Sequence, residues 1–305
     1  MGDPLVTAAR PRMHADQVDT DPGLVRRLLA GQFPRWADLP VVPVRSWGTD
    51  HDIYRLGDDL AVRLPKIGWA QGQAVLEATW LPVLAPHLPL AVPVPVALGE
   101  PAEGYPFAWS VQEWLPGDSA GDARPQDPDR AADDLAAFVR ALQDVDAADG
   151  PRKPRDARGG SLEAVDEPVR RAVAALGRRV DAGPVLRAWE ESLSASGAGP
   201  GEEAWIHADL LPGNLLVRDG RLSAVLDFGG LGVGDPACDL MPAWNLLDAA
   251  RARRYRDALG AGDDAWLRGR GWALAQALVA LPYYWDTNPG ITRQALVAVA
   301  RSIEA

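Results

Sequence analysis

The chain contains a single cysteine, Cys238. No intramolecular disulfide can form, and a cytoplasmic setting is the simplest fit. Uninterrupted apolar runs of about 18 residues or more, the length a membrane helix needs, are missing too. The most hydrophobic segment, residues 80–99, is broken by Pro82, Pro86, His87, Pro89, Pro93 and Pro95, which argues against a membrane span. No secretory signal pattern is visible. Positive charge is in deficit: 31 lysines and arginines against 42 acidic residues leave a net charge of −11. Nucleic-acid binding requires the opposite balance, whereas a cationic small molecule is compatible with it. Internal repeats and low-complexity tracts are absent.

What is present is a globular chain of 305 residues, 47% of them hydrophobic, enough to bury a sizeable core. Residues 1–20 show no period and read as a flexible leader. Asp21-Pro22 then opens a short helix through Ala30. The runs VVPVRSW, HDIYRL and DLAVRLP read as three short strands. Alternation in the last puts Leu60, Val62 and Leu64 on one face and Ala61 and Arg63 on the other. Residues 71–84 carry a helical apolar stripe with Glu77 just off it, and Pro82 is expected to kink or restart that helix. An extended Pro-rich stretch and a strand in FAWSVQEWLPG follow. Beyond Gly117 the pattern turns helical over 128–147, 162–180 and 184–193, with a basic Pro/Gly-rich loop, GPRKPRDARGG, at 150–160.

The most informative segment is WIHADLLPGNLLVRDGRLSAVLDFGGLGVGDPACD, residues 205–239. Asp219-Gly220 between two apolar runs predicts a two-residue hairpin. Regular pairing about it sets 218 opposite 221 and 214 opposite 225, so Asn214 and Asp227 end side by side. Asp209, in a loop closed by Pro212-Gly213, lies near the same point. One carboxylate can then take a hydroxyl proton, while an amide and a second carboxylate offer the oxygens a hard metal ion prefers.

HADLLPGN followed by LDFGG and GDPACD resembles the catalytic core of the aminoglycoside phosphotransferase family, and the likeness extends over nearly the whole chain. That resemblance implies an α+β, protein-kinase-like fold of two lobes: a small antiparallel-sheet lobe over residues 1–114 and a mainly helical lobe over 115–305. It implies Asp209 as the catalytic base, Asn214 and Asp227 as Mg²⁺ ligands, and ATP or GTP as the phosphoryl donor. His207 and Asp239 become structural supports, with Asp235 as a cap. In the small lobe, Ala61 lies over the adenine and Arg63 serves the α- and β-phosphates, with Lys66 as the fallback cation and Glu77 as the partner of Arg63. Glu113 and Leu115 supply the hinge carbonyl and amide. Ser46 and Gly48 lie where the phosphate-covering loop belongs, although no G-x-G-x-x-G is present.

Only nine residues separate Gly229 from Asp239, too few for the segment on which a protein kinase docks a peptide, so the acceptor is expected to be a small hydroxylated molecule. The resemblance points to an antibiotic of the aminoglycoside or macrolide kind. A metabolic kinase for an amino alcohol or sugar remains an alternative, as does a non-catalytic nucleotide-binding pseudokinase. Trp285 and Asp286, and Glu167 among the acidic residues of the middle helices, are candidate acceptor contacts. The oligomeric state is open.

Overall fold

The computed structural model describes residues 16–44, 48–196 and 202–304. Asp21 caps the first helix, α1 (Pro22–Gln32), by accepting the Leu24 N–H at 2.7 Å, and Pro22 presets the first turn. Three strands follow, β1 (Val41–Val44), β2 (His51–Leu56) and β3 (Leu60–Pro65), then helix α2 (Gln73–Leu84) and strands β4 (Pro95–Gly99) and β5 (Trp109–Glu113). They form one antiparallel sheet in the order β1-β2-β3-β5-β4. Alternation divides β3 as the pattern required. Val62 and Leu64 join Tyr54, Leu56, Val111 and the apolar stripe of α1 in one core, while Arg63 on the other face reaches Glu77 of α2.

Three expectations for this region change. Pro82 does not interrupt α2, which runs through it and ends two residues later at Leu84. So near the end of a helix, the lost N–H is tolerated because the following turns are already tightening. Within the Pro-rich stretch, Pro95–Gly99 is a sheet strand; its pairing with β5 is a tertiary contact that local composition does not encode. Finally, residues 16–20 are tied down: the Val18 N–H donates to the Lys66 carbonyl at 2.8 Å, and the Thr20 hydroxyl donates to Asp52 at 2.7 Å. Residues 1–15 of the expected leader lie outside the described residues.

The rest of the chain builds a larger, mainly helical body. It runs through β6 (Asp118–Ser119), α3 (Pro128–Gln143), α4 (Asp166–Leu176), α5 (Ala182–Ser196), β7 (Ala204–Ile206), β8 (Leu215–Arg218), β9 (Arg221–Val225) and β10 (Gly232–Gly234). Four helices complete it: α6 (Pro242–Asn245), α7 (Ala249–Leu259), α8 (Asp263–Tyr284) and α9 (Pro289–Glu304). Trp189, Trp205 and Trp272 are fully buried among Leu135, Phe138 and Leu278 in a second core, which also takes Leu81 and Leu84 from α2. The helix expected over 162–180 is shorter, because Gly177 adopts φ 55° and stops α4. No described helix is long and apolar enough to cross a membrane.

The hairpin at Asp219-Gly220 forms, with both residues at positive φ, 53° and 75°, as a tight primed turn requires. Its register departs from regular pairing. Val217 faces Leu222 but Leu216 faces Ala224, so Ser223 is an extra, bulged residue. Asn214 therefore lies opposite Leu226 and not Val225; the Leu226 N–H donates to the Asn214 carbonyl at 2.7 Å. The displacement of one residue brings Asp227 directly beyond the end of the pairing.

Arg268 of α8 grips Asp235 through Nε at 2.8 Å and Nη2 at 3.2 Å, both side chains being buried. Asp235 in turn accepts the Ala237 N–H and caps the short turn that carries Asp239. Removing one partner of a buried pair strands the other charge, so Arg268→Leu is expected to lower stability by about 3–5 kcal/mol. Urea denaturation measures it, and a loss below about 1 kcal/mol would show the pair to be no stronger than an exposed one.

Candidate active site

Asp239 organises the catalytic loop through two backbone donors. Its Oδ2 accepts the His207 N–H and its Oδ1 the Ala208 N–H, each at 2.8 Å. Those bonds hold Ala208 at φ 64°, a conformation costly for any residue with a Cβ. His207 is fully buried. Its Nδ1 accepts the Asp209 N–H at 3.1 Å, so the ring proton is assigned to Nε2, which donates to the Leu226 carbonyl at 3.0 Å. Burial pushes the imidazole below its ordinary pKa. A neutral ring with both nitrogens spent on backbone has no proton to offer chemistry.

The loop aims Asp209 into a cleft of about 310 Å³ that it shares with Asn214, Asp227, Gly48 and Thr49. Asn214 Nδ2 donates to the Asp209 carbonyl at 2.9 Å and to its Oδ2 at 3.0 Å, which turns the amide oxygen away from Asp209. Gln276 of α8 donates to Oδ1 at 3.0 Å, and Arg158 binds the same oxygen through Nη1. From the sheet side, Arg63 holds both carboxylate oxygens of Glu77 through Nη1 and Asp227 through Nη2. Arg63 and Glu77 are buried, and Ala61 lies on the same face of β3.

The two carboxylates are electrostatically distinct. Burial alone would raise the Asp227 carboxyl, but the Arg63 guanidinium, with the Gly229 N–H, outweighs it and holds the pKa at about 2. Asp209 is raised by burial, and the proximity of Asp227 adds to this; Arg158 offsets only part of it. Asp227 is thus anionic at every working pH, while Asp209 is tuned toward proton exchange. Magnesium fits the donor set. Asn214 Oδ1 and the Asp227 carboxylate would offer it two oxygen ligands, and Mg²⁺ ordinarily completes its octahedron with phosphate oxygens and water. Among the described residues no cluster of three or more His, Cys, Asp or Glu could hold a metal by itself.

A family model described as the phosphotransferase enzyme family matches residues 41–272. The chain belongs to this family. Among solved structures, wild-type aminoglycoside 2′-phosphotransferase-IIIa with GDP is similar over 93% of this chain and 99% of its own, at 18% identity and a TM-score of 0.69. Macrolide 2′-phosphotransferase MphH from Brachybacterium faecium is 25% identical, covering 92% of this chain and 96% of its own at a TM-score of 0.59. Macrolide 2′-phosphotransferase type I is 19% identical over 92% and 97% of the two chains, with a TM-score of 0.64. No curated protein sequence matches. The chain is therefore a nucleotide-dependent phosphotransferase acting on an alcohol group, in the two-lobed α+β kinase-like fold.

Not every residue singled out from the phosphotransferase's sequence reaches the cleft. Trp285 lies under the Arg179 guanidinium, 4.5 Å from its ring centroid, and Asp286 is exposed. Of Tyr283-Tyr284-Trp285-Asp286 it is Tyr284 that lines the cleft, donating to Thr49 at 3.0 Å. Tyr284 is the last residue of α8 and stands four residues after Ala280, on the face that carries Ala277 and Ala280, while Trp285 and Asp286 lie beyond the helix. Glu167 stands on the outer face of α4, paired with Arg171 at 2.6 Å. Lys66 is paired with Asp52 at 3.3 Å. Glu113 ends β5 opposite Leu60, and the Trp114 N–H donates to the Asp59 carbonyl at 2.8 Å just before Leu115 leaves the sheet. Ser46 lies outside the described residues.

Arg158, Asn245, Gln276, Gln294 and Trp69 line the cleft without having been marked. The basic loop offered four cations, and nothing local distinguishes Arg158 from the others.

A carboxyl group must be deprotonated to take a hydroxyl proton, so with Asp209 in the role of base kcat/KM should fall as pH drops through the Asp209 pKa. Because burial raises that pKa above the ordinary 3.8, the acidic limb of the pH–rate profile is expected above that value. A limb at or below it would show Asp209 to be in ordinary solvent contact.

Proposed function

We propose that this phosphotransferase moves the γ-phosphoryl group of a nucleoside triphosphate to a hydroxyl of a largely apolar acceptor of the macrolide class. The supporting observation is the chemistry of the cleft wall beyond Asp209. It consists of Ala277, Ala280, Tyr284, Ile291, Ala295 and Ala298, with the neutral amides of Asn245, Gln276 and Gln294 between them. Three carboxylates line the cleft. Asp209 is paired with Arg158, Asp227 with Arg63, and Asp50 accepts the Trp69 indole N–H at 3.0 Å.

A polyamine acceptor needs carboxylates to meet its ammonium groups, and Asp166, Glu190 and Glu191 of the middle helices are committed elsewhere. Asp166 binds Arg170 at 2.8 Å, Glu190 binds Arg170 at 3.4 Å and Glu191 binds Arg270 at 2.8 Å. The net charge of −11 is thus not concentrated on the acceptor wall. The names of two similar structures, both macrolide 2′-phosphotransferases, agree with this reading. Structures similar to this one are also named as complexes with GDP and with ADP, which supports a purine nucleotide as donor.

In this reading the donor lies between the sheet and the helical body, whose boundary we place at Trp114 and Leu115. Ala61 faces the base, and Arg63 turns from Asp227 toward the phosphates. Asn214 and Asp227 hold Mg²⁺, which supplies charge neutralisation on the phosphate oxygens. Asp209 accepts the acceptor's hydroxyl proton while Gln276 and Asn214 fix its orientation. The apolar wall of α8 and α9 excludes water from the attacking oxygen.

Purified protein with Mg·ATP or Mg·GTP is expected to phosphorylate erythromycin, with a product detectable by mass spectrometry. Asp209→Asn should lower kcat by at least about two orders of magnitude while leaving nucleotide affinity nearly unchanged. The acceptor KM should change little with ionic strength, because apolar contacts are not screened. Turnover of kanamycin with none of erythromycin would overturn the acceptor assignment. So would turnover confined to an amino alcohol or a simple sugar.

A further inference from the structure

The catalytic loop carries no cation. Between Asp209 and Asn214 stand Leu210, Leu211, Pro212 and Gly213. A phosphoryl group passing between the base and the metal carboxylate carries negative charge on its equatorial oxygens, and positive charge placed there beforehand lowers the barrier. Arg63 is committed to Glu77 on the sheet side. The guanidinium that lines the cleft is Arg158, which the sequence holds 51 residues away from the base.

The loop bearing Arg158 is fixed to the segment that follows Asp227. The Val233 N–H donates to the Pro151 carbonyl at 2.8 Å, the Lys153 N–H to the Val233 carbonyl at 2.9 Å, and the Asp235 N–H to the Gly159 carbonyl at 2.8 Å. Gly159 adopts φ 81°, and a Cβ there would lie 2.0 Å from Ile206 Cδ1. At Gly160 a Cβ would lie 2.2 Å from the Pro154 carbonyl oxygen. So close a fit sets the position of the Arg158 backbone relative to both carboxylates.

The side chain itself is 36% exposed and opens onto the cleft. Nη1 binds Asp209 Oδ1, whereas Nε and Nη2 have no partner among the described residues. Asp227 also acts on it electrostatically. Orienting the base does not call for Arg158, since Gln276 and Asn214 already hold one carboxylate oxygen each at 3.0 Å. A cation on the base also opposes its function, by lowering its affinity for a proton.

We propose that Arg158 is a catalytic residue whose unpartnered guanidinium N–H groups bind an equatorial oxygen of the γ-phosphoryl group during transfer. The assignment rests on the kinase reading above. The acceptor hydroxyl oxygen forms a bond to the γ-phosphorus, and the bond from that phosphorus to the bridging oxygen breaks. The electron pair leaves with the nucleoside diphosphate, and the hydroxyl proton passes to Asp209. Arg158 shifts its hydrogen bonding from carboxylate to phosphoryl, which frees the base as the negative charge moves.

The test uses Mg·ADP or Mg·GDP, whichever binds more tightly, with and without aluminium fluoride as a mimic of the phosphoryl group in flight. Four variants are compared with the wild type: Arg158→Ala, Arg158→Lys, Asp209→Ala and the double variant Asp209→Ala/Arg158→Ala. Thermal unfolding shows which of them are folded. Arg158→Ala should leave diphosphate affinity within about threefold yet lose roughly a hundredfold of the tightening that fluoride brings. Arg158→Lys should recover part of it, as a point charge without the planar fork. The decisive comparison is in the Asp209→Ala background, where the same loss on removing Arg158 is expected. No further loss there means that Arg158 acts only through Asp209, and overturns the proposal while leaving the kinase reading intact. A wild-type protein that binds no Mg·nucleotide defeats both.

Discussion

A single guanidinium joins the two parts of this molecule at the point where chemistry takes place. Arg63 rises from the central strand of the sheet, holds Glu77 of α2 with one nitrogen and reaches Asp227 beyond β9 with the other. Glu77 and Arg63 are both buried, and neither would be stable as a charge without the other. Their attraction sets the position of α2, and through it the closeness of the sheet to the helical body. Asp227 also owes its very low pKa to this cation, although burial pulls the other way. The Asp227 carboxylate is kept ionised by a group that belongs to the sheet.

Around that link the site is built from backbone as much as from side chains. Asp239 contributes nothing that could touch a substrate, yet its two hydrogen bonds fix Ala208 in a left-handed turn that no short-range preference would choose. His207 works in the same way, joining the Asp209 N–H to the Leu226 carbonyl across the hairpin. Together they turn Asp209 toward the cleft with its carboxylate free for Gln276, Asn214 and Arg158. Asp209 is oriented by neutral donors and neutralised by a charged one, and these are separable contributions.

Much of this was legible in the sequence because it depends on short-range rules. Alternation in Leu60–Pro65 assigned Ala61 and Arg63 to one face, Asp219-Gly220 gave the turn, and the spacing of Asp209, Asn214 and Asp227 gave the convergence. What escaped reading depends on contacts remote along the chain. Strand β4 exists because β5 pairs with it. Arg158 reaches Asp209 across 51 residues by way of a loop that is anchored on β10. Tyr284 faces the cleft as the last residue of α8, whose rotational phase is fixed by Trp272 and Leu278 in the core, whereas Trp285 and Asp286 lie beyond the helix end. The acidic helix faces looked like binding surfaces until their arginine partners were in view.

The bulge at Ser223 makes the two ends of the hairpin mechanically independent. In a regular ladder, any change of register at the tip is transmitted to the base and swaps the faces of the strand. Here the ladder is interrupted between Leu216 and Val217. The inner part is fastened separately, since Ala91 pairs alongside Ser223 and Val225. A change of register at the turn therefore ends at the bulge, and the aim of Asp227 is governed from within the protein. The tip is held by its own contact, the Gln126 N–H donating to the Gly220 carbonyl at 2.8 Å, so each end of the hairpin is fastened to a different part of the protein.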